Sequence, residues 1–112
     1  MEPRLRAEVW VKAYVRRCEV HGASAFIVAR GDETAGAVIV KLNYLNGTAT
    51  VFSPTRTGEG EFVWLRALGA DPVAETEADA YIARQQRFDP DLWIVEVEDR
   101  QGRHFLDGVD AS

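Results

Sequence analysis

Ala37-Val38-Ile39-Val40-Lys41-Leu42-Asn43-Tyr44-Leu45-Asn46-Gly47-Thr48-Ala49-Thr50-Val51-Phe52 is the stretch that decides the fold. Val38, Val40 and Leu42 alternate with Ala37, Ile39, Lys41 and Asn43, which is the period of two of a β-strand, with one face wholly apolar and the other turning polar toward its end. Asn46-Gly47 separates this run from a second strand pattern, Thr48 to Phe52. A type I′ turn needs positive φ at both central residues, and Asn-Gly tolerates that best. The stretch therefore predicts an antiparallel hairpin in a sheet covered mainly on one side.

Working outward, Ser24 to Arg30 reads as a preceding strand, joined through a turn from Gly31-Asp32-Glu33 to Gly36. Downstream, Ser53-Pro54 to Gly60 reads as a mobile loop and Glu61 to Ala67 as a further strand. The period becomes helical at both flanks. Leu5 to His21 contains no Gly or Pro, and Leu5, Val9, Trp10, Ala13, Tyr14 and Val20 fall near three-and-four spacing; the segment Val9-Trp10-Val11 also fits a short strand. Gly22 supplies the stop, with Arg16, Arg17 and His21 at the negative end of the helix dipole. After Gly69-Ala70-Asp71-Pro72, Thr76-Glu77-Ala78-Asp79 resembles a capping box, and Ala78, Tyr81, Ile82, Gln85 and Phe88 line one helix face. Leu92 to Glu98 and Arg103 to Leu106 close the series as strands, with a tail from Asp107 expected to fray. The expectation is a single α+β domain of order α-β-β-β-β-α-β-β, a mostly antiparallel twisted sheet of five to six strands with both helices packed on one face.

Length and composition agree with one self-sufficient domain: 112 residues, 46% hydrophobic and 28% charged. No apolar run reaches the eighteen or so residues of a membrane helix, the opening Met1-Glu2-Pro3-Arg4 lacks a secretion-signal stretch, and the lone Cys18 forms no internal disulfide. A cytoplasmic location is expected, with no membrane partner. The net charge of −5 is unevenly divided: residues 1 to 30 carry six basic side chains against three acidic ones, leaving −8 on the remainder. A basic, aromatic helix on an acidic body points to an interaction surface made of Arg6, Trp10, Lys12, Tyr14, Arg16 and Arg17.

Three segments carry a family resemblance: Pro3 to Val11, Gly22-Ala23-Ser24-Ala25-Phe26, and above all Ala80-Tyr81-Ile82-Ala83-Arg84-Gln85 with Phe88-Asp89-Pro90-Asp91-Leu92-Trp93. Together they resemble a family of small bacterial proteins known as domain of unknown function 1491. The resemblance covers nearly the whole chain, implies one domain, and brings no activity, cofactor or catalytic residue with it.

Catalytic and metal chemistry finds little material. Cys18 and His21, three apart on a helix, would need His104 or another partner to make a nucleophile and base, and a structural zinc site would need four ligands. Gly58-Glu59-Gly60 lacks the pattern of a phosphate cradle, and the acids Asp89, Asp91, Glu96, Glu98 and Asp99 fit no calcium loop. No catalytic residue, cofactor or metal is therefore assigned. Trp64 and Trp93 read as core. Three functions remain in order: a non-enzymatic interaction module for a protein partner of acidic character; a nucleic-acid-binding accessory, disfavoured by net charge; and a small enzyme or ligand binder with a pocket at Tyr81, Arg84, Gln85 and Asp89.

Overall fold

The computed structural model describes residues 5–110. Its elements are α1 (Ala7–Val20), β1 (Ser24–Ala29), β2 (Val38–Asn43), β3 (Thr48–Arg56), β4 (Phe62–Arg66), β5 (Val73–Ala74), α2 (Glu75–Phe88) and β6 (Trp93–Glu98). One six-stranded sheet runs β1-β6-β2-β3-β4, with the two-residue β5 also on β3. All pairings between these strands are antiparallel except β2 with β6, so the fold is α+β, with two helices on a mostly antiparallel sheet as the alternation predicts.

The deciding stretch forms its hairpin with Val40 opposite Phe52 and Asn43 opposite Ala49. The turn is not type I′. Positive φ falls on Leu45 (63°) and Gly47 (90°), and the Asn46 side chain instead accepts hydrogen bonds from Thr48 N (3.0 Å) and Thr48 Oγ1 (2.6 Å). An Asx turn has replaced the expected two-residue loop.

The two helices lie on opposite faces, which corrects the one-face expectation. Ala7, Val11, Tyr14 and Cys18 of α1 pack with Val38, Val40, Leu42, Phe52, Val95 and Val97. Ala78 and Ile82 of α2 pack with Ile39, Ala49, Val51 and Ile94, which point the other way along the same strands. That second face is apolar enough to bury α2, and its cation, Lys41, is accommodated there instead of being solvated. Lys41 is 4% exposed, and its Nζ donates to Glu75 Oε2 (2.8 Å) and Asp79 Oδ1 (2.7 Å) of α2 and lies 3.6 Å from Glu96 Oε1. Asn43 Nδ2 donates to Glu75 Oε2 and Glu96 Oε2 (3.2 and 3.0 Å). The polar face of β2 is thus covered by a helix that brings its own carboxylates. The expected capping box is not formed either: α2 starts at Glu75 after Ala74 with no side-chain cap, and Asp79 serves Lys41.

β6 enters between β1 and β2, which are not neighbours. Their connection instead passes over the start of β6, where Asp32 N donates to Asp91 O (3.0 Å) and Trp93 Nε1 donates to Asp32 O (2.7 Å). Gly31 and Gly36 both press against the Asp91 carbonyl so closely that a Cβ would collide with it. Arg103 to Leu106 is not a strand; His104 O accepts from Tyr14 Oη at 2.6 Å and so holds this segment to α1. Tyr14→Phe should therefore strand a carbonyl beneath the helix and cost about 1–2 kcal/mol, measured by urea unfolding. Ser53 to Arg56, expected in a loop, extends β3, and Pro54 pairs with Trp64. Residues 108–110, expected to fray, run along β4: Trp64 N donates to Gly108 O (2.9 Å) and Asp110 N to Trp64 O (2.8 Å).

Candidate functional site: an aromatic groove

α1 packs over β1 and β6, at one side of its face of the sheet. The β3–β4 half of that face has no helix above it. Between the flank of α1 and β4 this leaves an open groove of about 1040 Å³, at the upper end of small-molecule sites (roughly 300–1,000 Å³). Its aromatic lining is continuous. Trp10 stacks on Tyr14 one turn later (centroids 5.0 Å apart, planes 13° off parallel), tilts against Trp64 at 5.5 Å, and Trp64 meets Phe62 edge-on at 5.5 Å. Helical i,i+4 spacing places the first pair and strand alternation the last. Pro54 joins the lining from β3, and Arg17, Arg56, Glu61 and Asp107 add charge around the aromatics.

Of the six residues expected to form the interaction surface, Trp10, Tyr14 and Arg17 line this groove. Tyr14 is buried, its hydroxyl committed to His104 O and its phenol pKa pushed upward by burial. Arg6, Lys12 and Arg16 are exposed and outside the groove. Most of the basic charge is already matched by the chain's own acids: Arg6 with Glu33 (3.5 Å), Lys12 with Glu8 (3.4 Å), Arg30 with Glu8 (2.8 Å) and Arg17 with Asp107 (3.4 Å). Arg30 and Lys12 accordingly hold the Glu8 carboxyl below its usual pKa. Arg16 alone of the α1 cations has no carboxylate partner among the described residues.

The second expected pocket does not assemble at the groove. Tyr81 packs into the α2 core, Arg84 is exposed, Gln85 O accepts from Asp89 N (3.0 Å), and Asp89 Oδ1 accepts from Asp91 N (3.0 Å). Gln85 and Asp89 thus end the helix and set the following turn. The nucleophile-and-base material is scattered. Cys18 is fully buried, with burial pushing its thiol pKa up; His21 is exposed and bonded through Nδ1 to Arg17 O (2.8 Å). His104 lies edge-on to Phe52, its Nδ1 accepting from Leu106 N (2.9 Å), and burial and Arg66 lower its pKa. No trio of His, Cys, Asp or Glu able to hold a metal occurs among the described residues, and no helix there is long and apolar enough to cross a membrane.

Residues 5–107 match the family model described as "Protein of unknown function (DUF1491)". The chain belongs to the DUF1491 family. A crystal structure of a DUF1491 family protein from Caulobacter crescentus is 44% identical, covers 95% of this chain and 99% of its own, and superposes with a TM-score of 0.86. A solution structure of a DUF1491 family protein from the same organism gives 43%, 97%, 99% and 0.83. The solution structure of protein Atu0922 from A. tumefaciens is 30% identical over 86% of each chain, with a TM-score of 0.70. No curated protein matches. The DUF1491 fold is thus experimentally represented. Pro54, Arg56, Glu61, Phe62, Trp64 and Asp107 are groove residues that sequence reasoning missed as site residues; the available signal was Pro54 just past the Thr48 to Phe52 strand pattern, since proline in a sheet marks an edge or irregular position.

Proposed function

We propose that this chain is a protein-interaction module whose docking site is the groove between α1 and β4. The observation that carries the reading is the unbroken aromatic lining from Tyr14 through Trp10 and Trp64 to Phe62, beside arginines, because rigid aromatics and Arg are the residue types that anchor interfaces. The basic strip of α1 supports it less than expected, since its charges are largely spent internally. That same pairing weighs against a phosphate-tracking nucleic-acid surface. An acidic partner remains part of the proposal through Arg16. A cytoplasmic setting is likewise proposed from the single unpaired cysteine.

A photo-crosslinking amino acid placed at Phe62, which is 38% exposed at the groove, should trap a discrete protein adduct in cells. Trp10→Ala should reduce the adduct at least tenfold, the effect of losing an anchor worth ~2 kcal/mol, while circular dichroism shows the chain still folded. An adduct indifferent to Trp10 sinks the reading.

A further inference from the structure

The chemistry of the groove selects a class of partner. Trp64 is 3% exposed, yet its indole Nε1–H has no acceptor among the described residues, and neither does that of half-buried Trp10. No sealed side-chain nitrogen or oxygen among those residues is unsatisfied, so the exposed sliver of Trp64 includes Nε1, and the groove is the opening that Trp64 lines. Trp93 shows the contrast, its indole donating to Asp32 O at 2.7 Å. Buried tryptophan ordinarily finds an acceptor. Two indole donors that the chain itself leaves to water, on residues lining one cleft, suit a ligand that supplies acceptors and flat apolar groups.

Three shapes of protein segment present different acceptors. A helix spends its carbonyls on its own N–H groups. An added strand needs a free sheet edge, but the Trp64 N–H and carbonyl are already paired with Gly108 and Asp110, so β4 is closed to strand addition there. A polyproline II segment has carbonyls free on its outside, and its prolines carry no N–H that burial would leave unpaired. Its repeat also fits. Trp10, Trp64 and Phe62 follow one another at 5.5 Å steps, so the ladder is no longer than about 11 Å, the scale of one polyproline turn of ~9 Å.

Resting on the interaction-module reading, we propose that the groove binds a proline-rich segment in polyproline II form, its carbonyls accepting from the indole N–H groups of Trp10 and Trp64. The probe is acetylated decaproline, titrated into nitrogen-15-labelled protein while the three indole signals are followed. Saturable shifts of the Trp10 and Trp64 signals, with Trp93 unmoved, are expected. Trp10→Phe keeps a ring but removes the donor and should weaken binding about fivefold. Unmoved indoles, or all three moving alike, overturn the proposal. So does oligothymidylate shifting Trp10 and Trp64 where decaproline does not, which would indicate base stacking. Random displayed peptides selected on the protein separate the two levels. Proline-free peptides that shift the Trp10 and Trp64 signals leave the groove reading standing and remove the polyproline one; peptides that all leave both signals unmoved remove both.

Discussion

Gly31→Ala is expected to destabilise the protein by about 3 kcal/mol, the upper end of what forced overpacking costs, and to lower Tm by roughly 12 °C or more at about 4 °C per kcal/mol for a chain of this size. The Cβ would meet the Asp91 carbonyl and stand 2.7 Å from Trp93 Cδ1. Neither neighbour can step aside: Asp91 O is the acceptor of Asp32 N, and the Trp93 ring is fully buried with its nitrogen held by Asp32 O. The substitution thus attacks the place where the β1–β2 connection crosses β6. Gly58→Ala is the control, since nothing lies within 4 Å of a Cβ at that position. Equal melting temperatures for the two variants would show that the crossing has room for a Cβ at position 31.

That crossing also explains part of what the sequence concealed. A short connection between two strand-like runs ordinarily makes them neighbours, and nothing local in Gly31 to Gly36 announces that a strand about sixty residues later slides between them. The glycines are legible afterwards as points of close approach. The helix and strand runs themselves were readable because their periods are strong. The layering was not, because Lys41 and Asn43 read as solvent-facing and long cations are rarely buried. Glu75 and Asp79, which bury Lys41, read equally well as acids favoured at a helix start. Both readings were locally sound, and only tertiary pairing decided between them.

The groove was half legible for a related reason. Trp10 and Arg17 could be singled out by composition on an amphipathic helix, but the opposite wall comes from β4, and its distance from α1 depends on which half of the sheet the helix covers. Tyr14 shows the limit of residue type as a guide. An aromatic on a basic helix suggests contact with a partner, whereas its hydroxyl is spent on securing His104 O and with it the C-terminal segment that closes the edge of β4. The side chain shapes the site from beneath.

Lys41→Met should cost about 3 kcal/mol, the lower end of the range for breaking a buried ion pair by removing one partner, because the change leaves three carboxylates facing one another without their cation. The lower end applies because Asp79 and Glu75 retain enough exposure to turn toward water, while Glu96 is held by Asn43 and stays beneath α2. Adding Glu96→Gln to the Lys41→Met variant should therefore recover about 1 kcal/mol, a neutral amide replacing the charge least able to escape. Alkaline pH gives the sign. Burial draws the Lys41 ammonium downward, but its hydrogen bonds to Asp79 and Glu75 outweigh that and hold its pKa above the ordinary lysine value. A group raised in this way contributes its stability in full below the unfolded lysine pKa and loses it as pH climbs through the folded one. Urea unfolding should thus give a constant gap between wild type and Lys41→Met through neutral pH and a narrowing gap in strong alkali. Because Lys41 faces α2 and the groove lies on the α1 side of the sheet, the Lys41→Met variant should still give the Trp10-dependent crosslink below its lowered melting temperature. Loss of that crosslink in a variant that remains folded would mean that the two faces are energetically coupled through β2.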